Sequence, residues 1–300
     1  MFKKQVFLFS GVLVVLLLVI ASCKSSFEKL KASNDRNKKY SEALKLYNKK
    51  EYSKALELFN ELAPIYRGQS SATELFYYQA MANYKLKDYI SAGYLFKQYA
   101  DTYPSDPRAE ECRFLTAYCY YLDAPEYTLD QENTERAIER MQLFINFHPK
   151  SERVAEANKL IQNMHERLED KSFANSKLYL DVGNYQAAVI AFNNTLRDYP
   201  DTRHGEEIEF LITKAQYEYA KRSLETKQEE RYEQAIAFAG QFAEKFPESK
   251  FLPQVAALKK ESEQGIIETK RILTEAAAER KAYEKEFKKD TTQVAKPSSK

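Results

Sequence analysis

Residues 89–104 read YISAGYLFKQYADTYP, and the spacing inside this stretch recurs along the chain. Tyr89 is followed three residues later by Ala92, four beyond that by the large apolar Phe96, and eight further on by Pro104. The same frame holds Tyr52, Ala55 and Phe59; Thr134, Ala137, Met141 and Pro149; Tyr185, Ala188, Phe192 and Pro200; and Tyr232, Ala235, Ala239 and Pro247. Five copies of one internal spacing mark a repeat array.

The frame has a mechanical meaning. Ala and the large residue are four apart and so share one helical face; the small side chain admits a neighbouring helix closely while the large one fills the space beside it. Pro lacks an N–H and disfavours the α conformation in the residue before it, so it ends the helix. Upstream of the quoted stretch, Phe76, Ala80, Tyr84 and Leu86 form a second amphipathic run, separated from it by the polar turn at Lys87 and Asp88. One unit is therefore two helices and a tight turn. Only 7 glycines occur in 300 residues, and no alternating β-branched run follows the apolar leader, so no sheet is expected.

The unit from Ala72 to Pro104 resembles the tetratricopeptide (TPR) pattern in the placement of its small residue, Tyr, Ala, Phe and Pro. Successive frames lie 37, 45, 51 and 47 residues apart, above the roughly 34 of an ideal TPR. The surplus falls in an insertion from Asp123 to Thr134 and in a long segment, Ser151 to Val182, where Val154, Ala157, Ile161, Met164 and Leu168 keep helical spacing. The expected fold is an all-α, TPR-like solenoid in one elongated body, with repeats at about 38–67, 70–104, 107–149, 151–200 and 203–247. A charged helix over 250–289 is expected to cap the last repeat, a partner-binding extension being the other reading, and a disordered tail is expected over 290–300. The end units depart most from the frame, with Arg67 at the position of the terminal Pro and Ala239 at that of the large residue.

The first residues read as a targeting segment. Lys3 and Lys4 precede an apolar run from Val6 to Ile20, which is short for a membrane span. Ile20-Ala21-Ser22-Cys23 resembles the bacterial lipobox. That resemblance implies a signal peptide over 1–22 and a diacylglycerol and N-acyl group on Cys23, each buried methylene worth about 0.8 kcal/mol of anchoring. Residues 23–37 would form a polar tether. Lys24 stands where an inner-membrane retention Asp would lie, so the resemblance implies the outer membrane. Ser25 and Ser26 in place of acidic residues favour its periplasmic face.

No catalytic constellation is visible in the sequence, which leaves open only an enzyme whose site forms in three dimensions. Without Lys3 and Lys4, the remaining 44 basic residues equal the 44 acidic ones, which argues against nucleic-acid capture. The three histidines, His148, His165 and His204, have no metal-ligand spacing, and no phosphate loop or nucleophile motif is present, so neither a cofactor nor an enzymatic activity is expected. His148 precedes Pro149 where other units carry Tyr or Phe, and reads as a packing variant. Cys112 and Cys119 are seven apart on one expected helix, about 10.5 Å, too far for a disulfide; they should be buried free thiols.

Finer likeness goes further. Asp130, Gln131, Thr134 and Ala137 with Phe144, Pro149 and Ser151, and Gly183, Tyr185 and Ala188 with the run from Leu196 to Thr202, resemble the third and fourth units of the BamD (outer membrane protein assembly factor D) family over about Lys38–Ser249. The resemblance implies a scaffold of the β-barrel assembly machine. Its partners would be the periplasmic POTRA domains of a BamA-type barrel subunit and unfolded outer-membrane β-barrel proteins. Some members carry an Arg before the large residue of the fourth frame; here Ala191 stands there, so no contact assigned to that Arg carries over. Another periplasmic TPR lipoprotein, such as a pilus-assembly pilotin or cell-envelope coordinator, remains open as an alternative.

Overall fold

The structure, a computed structural model, describes residues 26–69 and 72–294. Among these residues it is entirely helical. In chain order the helices are α1 (Ser26–Lys31), α2 (Arg36–Asn48), α3 (Tyr52–Tyr66), α4 (Ala72–Lys85), α5 (Tyr89–Thr102) and α6 (Ala109–Asp123). They continue with α7 (Glu132–Phe147), α8 (Val154–Asp181), α9 (Tyr185–Asp198), α10 (Gly205–Lys221), α11 (Glu225–Lys245) and α12 (Leu252–Val294). Every frame opens or lies in the second helix of a helix-turn-helix pair, as a TPR-like repeat requires.

The helix ends follow from the frame. Helices α5, α7, α9 and α11 stop two residues before their Pro, and the intervening caps Tyr103, His148, Tyr199 and Phe246 all have φ between −124° and −133°. Each cap N–H donates to the carbonyl four residues back, to Tyr99, Phe144, Thr195 and Phe242, at 2.9 Å. One last helical bond forms, and Pro then prevents the next. Helix α3, lacking the terminal Pro, runs through Pro64 and ends at Tyr66.

The tight turns share a second device. Lys50, Lys87 and Gly183 occupy the left-handed region at φ 65°, 64° and 77°, each two residues before a frame Tyr. After each comes a six-to-one bond, Glu51 N–H to Leu46, Asp88 N–H to Asn83 and Asn184 N–H to Tyr179, at 2.9, 3.0 and 2.9 Å. These are Schellman closures of the first helix. Asp88 and Asn184 then cap the second helix by accepting from Ser91 N–H and Ala187 N–H.

Contacts divide the chain into two compact units, 1–164 and 165–300, where the sequence suggested one body. In the first unit, Leu58, Phe59, Leu62 and Leu75 centre one core, and Phe96, Phe114, Met141 and Phe144 a second. In the second unit, Phe192, Ile208, Ile212 and Phe242 form the main core, and Tyr217 and Tyr232 a smaller one beside α12. Frame residues Ala55, Phe59, Ala92, Phe96, Ala137, Met141, Ala188 and Phe192 are all fully buried. Helix α8 spans 28 residues, about 42 Å at 1.5 Å per residue, as the spacing of Val154 to Leu168 predicts.

Two segments differ from expectation. The tether expected over 23–37 is helical from Ser26: Phe27 and Leu30 pack against the first core, and Lys31 Nζ meets Glu57 at 2.7 Å. Helix α12 does not stop at 289 but continues to Val294, into the expected tail. Residues 290–294 have little helix propensity of their own, but a helix already nucleated adds one hydrogen bond for each residue it fixes and needs no apolar stripe to propagate.

Candidate partner-binding clefts

The frame anchors build the scaffold, and residues at other offsets line its clefts. In the first unit a cleft of about 520 Å³ is walled by Phe76, Leu95, Tyr99 and Tyr103, with Arg67, Gln69, Gln98 and Thr102 at its rim. Phe76 stacks on Tyr103 at 6.4 Å, and Tyr103 leans on Tyr99 at 5.3 Å. Beneath the aromatic floor, Arg108 lies 5.2 Å from the Tyr77 ring and 5.7 Å from that of Tyr99, where cation and ring face attract. Its guanidinium grips both oxygens of Asp106 at 3.0 Å. That grip holds the Asp106 carboxyl down at about 2. The cleft is an apolar slot with polar edges.

Two more clefts occupy the same register. Arg140, Leu143, Phe144 and Phe147 on α7 stand 45 residues after Leu95, Gln98, Tyr99 and Thr102, and line a cleft of about 120 Å³ together with Lys97 and Arg113. In the second unit, Phe238, Gln241 and Lys245 on α11 line a cleft of about 300 Å³ with Asn193, Leu196, Glu209 and Ile212. None of these residues stands out in the sequence; the signal that would have found them is their constant offset from the frame Ala.

Two cysteines and two of the histidines are built into the packing. Burial pushes the thiols of Cys112 and Cys119 up to about 12, and both are free and enclosed by the core. His148 leans on Phe144 at 5.4 Å and sits 3.3 Å from Arg113. His204 stacks on Phe173 at 4.3 Å and bonds Asp170 at 2.8 Å. Burial alone would raise the Asp170 carboxyl, but the bonds from His204 and Arg203 outweigh it and hold it below the usual range. No group of three or more potential ligands could hold a metal among the described residues. Among them, too, no helix is long and apolar enough to cross a membrane. Cys23 and the segment 1–22 lie outside the described residues.

A sequence profile described as outer membrane lipoprotein, YfiO, matches residues 32–229. The chain belongs to this YfiO family. The match includes both first-unit clefts and leaves α12 outside. A curated relative, outer membrane protein assembly factor BamD of Caulobacter vibrioides, is 27% identical over 112 residues, 37% of each chain. The chain therefore spans little more than a third of that relative's length. Similar solved structures include the TPR2AB domain of yeast Sti1 in its pHSP90 complex (14% identity, TM-score 0.36, covering 82% of this chain and 95% of that one). Others are a TPR-repeat protein of Bacteroides fragilis (14%, 0.34, 80% and 100%) and the P58(IPK) TPR domain (13%, 0.37, 86% and 72%).

Proposed function

We propose that the chain is a non-enzymatic, lipid-anchored scaffold of outer-membrane protein assembly, tethered through Cys23 at the periplasmic face. It takes unfolded β-barrel proteins in the first-unit apolar cleft and couples them to a BamA-type barrel subunit through its POTRA domains. The observation that carries this reading is the YfiO family match over residues 32–229. The lipobox and the aromatic slot between Leu95 and Tyr103 support it.

Affinity purification of the tagged full chain from membranes tests the coupling. The barrel subunit should be recovered; a secretin or a Tol-Pal component recovered without it would overturn the reading. A photo-crosslinking residue at Gln98 should capture unfolded barrel proteins, and Cys23→Ala should release the chain from the membrane fraction. Tight membrane association of the Cys23→Ala chain would contradict the anchor.

A further inference from the structure

The clefts of α7 and α11 are the same cleft with different chemistry. Lys97, Ala100, Arg113 and Thr116 in the first unit stand 96 residues before Asn193, Leu196, Glu209 and Ile212 in the second, and the α7 positions match those on α11. In the second unit Glu209 and Lys245 form an ion pair across the opening and satisfy each other. In the first unit Arg113 replaces the carboxylate and Phe147, 71% exposed, replaces the lysine. Arg140 stands where Leu95 and Phe238 lie in the sister clefts. The internal clasp is gone and a second guanidinium has been added.

Two guanidiniums remain on the cleft wall beyond its one ion pair. Asp101 is the acidic residue on the cleft wall, and Lys97 already holds it at 2.6 Å. Arg140 stands partly buried on that wall. Arg113 Nη1 lies 3.3 Å from the Nε2 of His148, whose Nδ1 in turn lies 3.6 Å from the Glu110 carboxylate. Two partly buried guanidiniums beside an exposed phenyl ring are suited to a planar anion with an apolar neighbour, since their forks match a carboxylate in two bonds. The small volume admits single side chains and not a helix.

We infer that this cleft binds an acidic, aromatic-containing segment of a partner polypeptide. A side-chain carboxylate pairs with Arg113 and Arg140, and the adjacent ring of the segment rests on Phe147 and Leu143. The inference is independent of what occupies the larger apolar cleft.

Fluorescence anisotropy of the full chain in detergent, with a fluorescein-labelled peptide amide Gly-Asp-Phe-Asp-Phe-Asp-Gly, tests it. The peptide should bind saturably. Arg140→Leu and Arg113→Gln should each weaken binding about tenfold or more, as should replacing every Asp of the peptide by Asn. Phe147→Ala should weaken it less, and Lys245→Ala should not change it. The Arg140→Leu chain should fold, since Leu95 fills the same register in the sister repeat, and an unchanged thermal melt verifies this. Equal binding of the Asn peptide, or an unaffected Arg140→Leu chain, would overturn the inference. So would displacement of the peptide by phosphatidylglycerol vesicles that themselves require Arg140, which would reassign the cleft to a lipid headgroup.

Discussion

Gly265 in α12 lies directly against the ring of Tyr232, the Tyr of the fifth frame. A Cβ built there would fall 2.5 Å from its Cζ and 2.6 Å from its Cε2, while ordinary van der Waals contact begins at 3.4 Å. Tyr232 is only 5% exposed, wedged against Tyr217, so its ring has little room to withdraw by the ångström required. Gly265→Ala should therefore incur an overpacking cost of about 1–3 kcal/mol. Against this, Ala gains about 1 kcal/mol over Gly inside a helix. Gly240 in α11 supplies the control, because a Cβ there meets nothing within 4 Å, so Gly240→Ala should show the propensity gain alone. Gly265→Ala is expected to be about 2 kcal/mol less stable than Gly240→Ala, a melting difference of about 3 °C for a chain of this size. In a Tyr232→Ala background the ring is gone and Gly265→Ala should stabilise instead. The assay is urea unfolding and thermal melting by far-ultraviolet circular dichroism on all five chains. Equal melting of Gly265→Ala and Gly240→Ala would refute the close approach, as would a Gly265→Ala effect that persists without the ring.

Three further outcomes follow from the caps and buried groups. Lys87 holds a left-handed conformation that costs an L-residue about 1 kcal/mol, so Lys87→Gly should raise stability by up to that amount, and Gly183→Ala should lower it similarly, both read from urea midpoints. Burial raises the Cys112 and Cys119 thiols to about 12 in the folded chain, so above about pH 9 the unfolded chain loses protons that the folded one retains. Stability should thus fall from about pH 9 to 12, less steeply in a Cys112→Ala, Cys119→Ala chain, and neither thiol should react with iodoacetamide until denaturant is added. Asp106 is held at about 2 by Arg108, so its contribution is present at neutral pH and lost as pH falls toward 2; Asp106→Asn should cost about 1–2 kcal/mol at pH 7 and flatten the acid limb of the stability profile.

The sequence made the scaffold legible and the clefts nearly illegible. Ala92 and Phe96 announce a buried face because helical periodicity forces them together, and Pro104 announces the helix end because its ring forbids continuation. The cleft walls carry no such constraint: Arg140, Leu143 and Phe147 are partly or fully exposed, and read singly they look like surface. The clasp between Glu209 and Lys245 spans 36 residues, so nothing local marks it. Helix α1 escaped because Phe27 and Leu30 form a single apolar pair, too short for a period, whose burial depends on a core built from α2, α3 and α4. Beyond residue 289, the polar run lacks a stripe and so reads as a tail, although it continues the helix before it.

The early start of α1 sets a leash. With Cys23 lipidated as proposed, three residue steps separate it from Ser26, and a fully extended chain spans at most about 3.6 Å per step. The folded body would then ride within about 11 Å of the acyl attachment point, its first core next to the lipid headgroups, instead of sampling a wide hemisphere on a polar string. Encounter with membrane-embedded partners would become a search in two dimensions, with proximity fixed by covalent length and not by affinity.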